Sequence, residues 1–227
     1  MKRHQSGFTL IEIAIVLVII GLLLGGVLKG QELINSAKVK NLAADFKNAP
    51  VFIYGYQDKF KALPGDDANV NTHLGTVCTT APITTCMATT GPTGNGVING
   101  MWDSMTTTDE SVAFWQHARL AGLAPGETVV NLTTYLPTNA MGGRIGITNG
   151  TATNLPITGL KGSYIICSGG ILGKSAKQLD VTLDDGNTAT GSMMVMVDAA
   201  HPAAVPANAI ATTVIDDAVP YTVCMGV

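Results

Sequence analysis

Charge is scarce in this chain. Of 227 residues, 13 are Lys or Arg and 16 are Asp or Glu, for a net charge of -3. With no basic surplus to neutralise phosphates, the composition argues against a nucleic-acid binder. Aromatic residues are few, at 5%. Long apolar runs are scarcer still. Only one segment is long and apolar enough to span a bilayer, so a polytopic membrane protein is excluded. Catalytic signatures are missing as well: there is no Gly-x-Ser-x-Gly, no His-Glu-x-x-His and no glycine-rich phosphate loop, so the chain does not read as an enzyme. Apolar residues, by contrast, make up 46% of the sequence, which excludes wholesale disorder. The length suits one or two domains with a real core.

The spanning segment sits near the start. Met1 to Gly7 is short and basic and carries Lys2 and Arg3. Phe8 to Leu28 follows, 21 residues with one charge, Glu12. As a helix this run measures roughly 32 Å, close to the ~30 Å of bilayer hydrocarbon. A secretory signal peptide would have a shorter apolar region and a small-residue cleavage site, and Gly25-Gly26 is a poor match to one. The basic leader predicts a single pass with a cytoplasmic N-terminus. Glu12 needs a partner or a purpose, because a carboxylate inside a membrane helix costs about 3 kcal/mol on insertion scales.

These residues carry a resemblance. Lys2-Arg3, the run Gly7-Phe8-Thr9-Leu10-Ile11-Glu12, and an apolar helix containing Gly21 together resemble the class III signal of type IV prepilins and type II secretion pseudopilins. The resemblance implies that a prepilin peptidase cuts between Gly7 and Phe8, and that the new amine of Phe8 is N-methylated. It also implies that Glu12 neutralises the Phe8 ammonium of a neighbouring subunit. Charges buried in an apolar filament core are tolerable as a pair. Many type IV pilins have a proline just after the apolar run, where this chain has Lys29. Gly25, Gly26 and Gly30 supply the weak points instead, at about 1 kcal/mol each relative to Ala.

Residues 29–62 read as an amphipathic stem. Leu33, Ile34, Ala37, Leu42, Ala44, Phe46, Ala49, Ile53 and Phe60 recur at roughly helical spacing. Six lysines (Lys29, Lys38, Lys40, Lys47, Lys59, Lys61) face three acids, a net of +3. Phe52, Tyr54, Tyr56 and Phe60 are expected to pack between stem and head. Leu63-Pro64-Gly65-Asp66-Asp67 stops the helix. The block from Gly55 to Asp67 and the block from Glu110 to Leu123 extend the resemblance to a subgroup of pilin-like proteins.

Residues 63–227 form the head, with five basic residues against twelve acids, a net of -7. Thr72 to Thr108 reads as loops. Thr107-x-x-Glu110 predicts a capping box opening a short helix that Gly122 ends. His117 on that helix satisfies a local hydrogen bond in the plainer reading and acts as a ligand or base in the other. Four strands are predicted at Arg144–Ile147, Ser163–Cys167, Met193–Val197 and Tyr221–Met225. Ser175 to Leu183 fits helix or strand, and the subgroup pattern favours helix. A long helix on a small antiparallel sheet is an α+β head, and it is also the pilin architecture.

Exported chains meet an oxidising compartment, so Cys78, Cys86, Cys167 and Cys224 should pair. Three connectivities are possible. The favoured one joins Cys78 to Cys86, closing a short loop, and Cys167 to Cys224, tying the C-terminal segment to a central strand much as pilins do. The longer loop should contribute about 4 kcal/mol by chain entropy. Some pseudopilins carry calcium in the head. Asp184, Asp185, Asp216 and Asp217 are the weak oxygen-ligand candidates, although such pairs are usually turn chemistry and no EF-hand spacing is present. No cofactor is otherwise expected. The sequence therefore points to a structural subunit that self-associates into a helical homopolymer. It would reside in the inner membrane first, then in an extracellular or periplasmic filament built by pilus or type II secretion machinery. The alternative is a pseudopilin forming a periplasmic pseudopilus, and a membrane-anchored binding or catalytic domain ranks lower.

Overall fold

The computed structural model describes residues 10–78, 86, 93–130, 135–151, 155–198 and 206–227. Its first element is α1, Leu10–Phe60. The chain divides into two compact units, 1–38 and 39–227. In the first unit every described residue through Lys29 is exposed. Leu17 and Leu22 are 63% and 73% exposed, so the apolar character here is not spent on an intramolecular core. The helix runs through Gly21, Gly25, Gly26 and Gly30 without a break, and a Cβ added at any of them meets nothing within 4 Å.

The second unit begins inside α1. Val39, Leu42, Ala43, Phe46, Ala49, Ile53 and Tyr56 are buried, spaced by three and four residues along one stripe. Pro50 sits within the helix without ending it. The helix ends at Phe60, where Lys61 takes a left-handed φ of 56° and Pro64 follows. Gly65 has φ 90°, and a Cβ there would lie 2.4 Å from the carbonyl oxygen of Glu110, so glycine alone fits this turn.

Beyond the turn come α2 (Val70–His73), a 3-10 turn (Gly75–Cys78), α3 (Glu110–Leu120), β1 (Ile145–Asn149), β2 (Tyr164–Leu172), α4 (Gly173–Leu183), β3 (Met193–Val197) and β4 (Pro220–Gly226). All four strands stand within one residue of their predicted starts, and the ambiguous segment before Leu183 is helical. The predicted capping box does not form. Asp109 occupies the cap position without a side-chain cap bond, and Glu110 is the first helical residue. The Glu110 carboxylate turns instead to Asn99, accepting its backbone N–H at 2.7 Å and its side-chain N–H at 2.9 Å.

The sheet order is β1-β2-β4-β3, with every neighbouring pair antiparallel. β2 and β3 therefore run parallel with β4 between them, and α4 is the crossover. The register of β2 on β4 shifts between Ser168 and Ile171, where Gly170 has φ 68°. Strand alternation sorts side chains to two faces. Ile147, Ile166, Val195, Tyr221 and Val223 join the buried stripe of α1 in one core. Ile165, Cys167, Met194 and Cys224 face the other way and pack with Trp102, Ile157 and Leu160. A long N-terminal helix with a small four-stranded antiparallel sheet is an α+β, pilin-like architecture.

Candidate functional site: the first turn of α1 and the polar joints of the head

Gly7 and Phe8, the expected cleavage and methylation positions, lie outside the described residues. Glu12 lies in the first turn of α1 and is exposed.

In the head, the turn after α1 is held by a set of polar joints. Asp67 is buried, and its Oδ2 accepts from the Tyr56 hydroxyl at 2.7 Å. The same oxygen lies 2.7 Å from Nδ1 of His73, and Oδ1 accepts from the Asn69 N–H. Burial and the adjacent carboxylate push the Tyr56 hydroxyl well above its ordinary range, so it remains a donor. The Asp66 carboxylate accepts from the backbone N–H groups of Gly94, Asn95 and Gly96, closing the loop over the turn. His117 is fully buried. Its Nδ1 accepts from the Gly65 N–H at 2.9 Å, so Nε2 carries the proton and donates to the Cys86 carbonyl. Desolvation lowers its pKa and keeps it neutral. The imidazole thus ties α3 to two segments 52 and 31 residues away, rather than serving a local bond. Glu110 is buried too, and burial pushes its carboxyl up to about 7, with Asp66 and Asp109 adding to the shift against the two Asn99 donors.

The four aromatics of the stem divide. Tyr56 is buried and Phe52 packs edge-on against Trp115 at 6.4 Å, whereas Tyr54 is 58% exposed. The cysteines form two disulfides, Cys78–Cys86 and Cys167–Cys224. Cys167 and Cys224 face each other in the β2–β4 register, so this bridge crosses neighbouring strands on the sheet face away from α1.

The four acidic candidates do not come together. Asp184 and Asp185 follow the C-terminal end of α4, where Asp180 joins them, and ligand oxygens of the three lie within 4.8 Å of one another. Asp216 and Asp217 belong to the other end of that helix. The Asp217 carbonyl accepts from the Lys174 N–H, and its carboxylate pairs with Lys177 at 2.9 Å. Asp216 Oδ1 accepts from the Ala218 N–H. An 11-residue helix separates the two pairs, roughly 16 Å along its axis. Sequence reading missed Asp180 because an acid between Leu179 and Val181 on a polar helix looks like a solvated position. It likewise assigned no roles to Asp66 and Asp67, whose signal was only a Pro-Gly turn followed by two acids.

The family model described as the prokaryotic N-terminal methylation motif matches residues 2–28. This is the prepilin-type signature, and it supports a prepilin- or pseudopilin-type protein. Proteins of that type are structural rather than catalytic. The motif implies processing by prepilin peptidase and assembly into pilus-like systems, and with the long apolar helix it fits a membrane-anchored prepilin. No curated protein and no solved structure matches the chain.

Proposed function

We propose that the chain is the structural subunit of a type IV pilus-like filament. The observation that carries this reading is the methylation motif at 2–28 joined to an apolar helix start that is exposed along its whole described length. The leader is cut between Gly7 and Phe8, and the new Phe8 amine is methylated. The subunit waits in the inner membrane as a single-pass protein with its N-terminus in the cytoplasm. On assembly the apolar helix exchanges lipid for its counterparts on other copies, and Glu12 pairs with the Phe8 ammonium of a neighbour. The exchange removes no apolar surface from water, so the charge pair and helix packing must direct it. Residues 39–227 stay folded throughout.

Mass spectrometry of the N-terminus, on sheared surface material and on membranes separately, tests this. A surface chain beginning at N-methyl-Phe8 is the expected result. The same processed chain confined to membrane or periplasm would make it a pseudopilin of a type II secretion pseudopilus. An uncut chain beginning at Met1 in both fractions would overturn both readings.

A further inference from the structure

We infer that the cavity bounded by the end of α1, the turn after it and α2 is a binding site for a neutral, multiply hydroxylated ligand, a saccharide by its chemistry. The inference holds for a pilus subunit and a pseudopilus subunit alike.

The cavity measures about 520 Å³, inside the ~300–1,000 Å³ range of small-molecule sites. Gln57, Phe60, Asp67, Asn69, His73 and Tyr164 are among its lining residues. Asn69 and the glycines Gly94 and Gly96 on its wall are exposed, so it opens to solvent.

The central observation is a pinned imidazole. The Tyr56 hydroxyl donates to Asp67 Oδ2, and Nδ1 of His73 lies 2.7 Å from the same oxygen. A carboxylate only accepts, so Nδ1 carries the proton and Nε2 is left for another partner. Stacking on Phe60 at 5.3 Å fixes the plane of the ring. Among the described residues Nε2 has no hydrogen-bond partner, and neither has the side-chain amide of Asn69. The His73 side chain is 26% exposed, so a ligand can reach it. The Tyr164 hydroxyl bonds the Gln57 side chain, and burial raises its pKa, which keeps it a neutral donor and acceptor.

The charges around the cavity are already met. Asp66 accepts from the backbone N–H groups of Gly94, Asn95 and Gly96. Asp67 accepts from Tyr56, His73 and the Asn69 N–H. The Lys61 ammonium turns back to Asp58. An ionic ligand therefore finds no counter-charge left without partners. An apolar ligand finds Phe60 already packed by His73, Tyr56 and Lys59. What the wall offers is a mixture of neutral donors and acceptors: an imidazole nitrogen, an amide and a phenol. A hydroxyl is donor and acceptor at once, so it pairs with Nε2 whether or not that nitrogen is protonated. Several hydroxyls on one small rigid frame match such a wall, and a pyranose presents them that way.

The test uses the full-length chain in micelles of a detergent without a sugar headgroup. It is titrated with maltose, cellobiose, lactose and N,N′-diacetylchitobiose up to about 10 mM, tenfold above a Kd of about 1 mM. Nitrogen NMR of the backbone amides and of the His73 ring reports binding. At least one of these sugars should shift His73 Nε2 and the Asn69, Gly94 and Gly96 amides saturably, and glycerol at equal hydroxyl concentration should not. Asn69→Ala keeps the backbone bond to Asp67, so it should stay folded while binding at least about fivefold more weakly, as the loss of one hydrogen bond predicts. His73→Phe keeps the ring stack and should lose the shifts; if it unfolds, Asn69→Ala decides. Repeating the titration with the bound sugar linked to albumin through its reducing end separates two sources. Capture of the conjugate identifies a glycan chain end as the ligand, and binding of the free sugar alone identifies a free saccharide. The inference is overturned if none of the sugars shifts these signals, if glycerol shifts them as much, or if Asn69→Ala binds as tightly as the unaltered chain. The His73–Asp67 pair is then a structural joint of the turn, and the filament reading, which rests on the leader and Glu12, stands unaffected.

Discussion

The two halves of α1 share a helix and little else. From Leu10 to Leu28 the residues are apolar on every side and exposed on every side. From Val39 to Tyr56 the apolar residues follow one stripe, and that stripe is buried against the sheet. A helix apolar all round has no preferred face and suits lipid or a ring of other helices, whereas a striped helix names its partner. The comparison locates two functions in one element: the first half is a surface reserved for something outside the chain, and the second is part of the head's own core.

The sharpest way to break this comparison is at the one charge in the reserved half. Glu12→Ala should leave leader cleavage intact and remove filaments from the sheared fraction. A broken buried ion pair costs about 3–5 kcal/mol, more than a hundredfold in each subunit addition. Normal filament yield from this variant would remove the charge pair from the proposal. Cleavage itself is probed at Gly7, where Val should block processing and Ala should slow it only mildly, as read by the mass of the membrane-bound chain.

Stability measurements divide the halves next. Phe46→Ala empties part of the α1–sheet core and should lower head stability by about 3–5 kcal/mol. Leu17→Ala, a similar truncation in the exposed half, should change it by less than about 0.5 kcal/mol. Equal losses in thermal unfolding would mean that the first half is not independent of the head core.

The smaller effects are those of pH, at two groups of α3 in the head. Glu110 has its folded pKa raised from 4.5 to about 7, so the folded state holds this proton more tightly than the unfolded chain. Its contribution is fully present below about pH 4.5 and is lost as pH rises to 7. His117, with its pKa lowered by burial, works in the opposite sense: its contribution is present above 6.5 and is lost as pH falls through the depressed value. Glu110→Gln keeps acceptor capacity for Asn99 and removes the titration. Its stability relative to the unaltered chain should therefore climb between pH 4.5 and 7, measured as the midpoint of denaturant unfolding. A pH-independent difference would assign the site no role in that window.

The strands were legible because each is a short apolar run bounded by turn residues; α4 was not, since Ser175 to Leu183 fits helix or strand by spacing and only the resemblance to pilin-like proteins favours helix. The stem stripe was legible only in part: Leu42, Phe46, Ala49 and Ile53 are buried as their spacing predicts, whereas Leu33, Ile34, Ala37 and Ala44 are exposed and Val39 and Ala43 take their place. What stayed hidden depends on residues that meet only after the chain folds back. Asp66 finds its three N–H donors about 30 residues away, and His117 finds its partners 52 and 31 residues away. Nothing in a local pattern specifies such meetings. The capping box failed for a related reason: Thr107 and Glu110 have the right spacing, but Asn99 offers Glu110 two donors and wins it. That Asp184 and Asp216 lie at opposite ends of α4 was likewise hidden, because similar dipeptides do not reveal that a helix stands between them.

The strand order bears on how the head is made. β4 is the latest of the four strands in the sequence, yet it lies between β2 and β3 and, among the described residues, is the one strand bonded to β3. In the single-pass orientation proposed above, a chain threaded through the membrane from its N-terminal side would deliver β1, β2, α4 and β3 before the strand that joins them. The sheet cannot close during that passage, and β3 waits as a detached apolar segment. Quality control is thereby built into the order of emergence: a chain interrupted anywhere before Pro220 has no completed sheet to offer, and the Cys167–Cys224 bond can form only on a chain delivered that far.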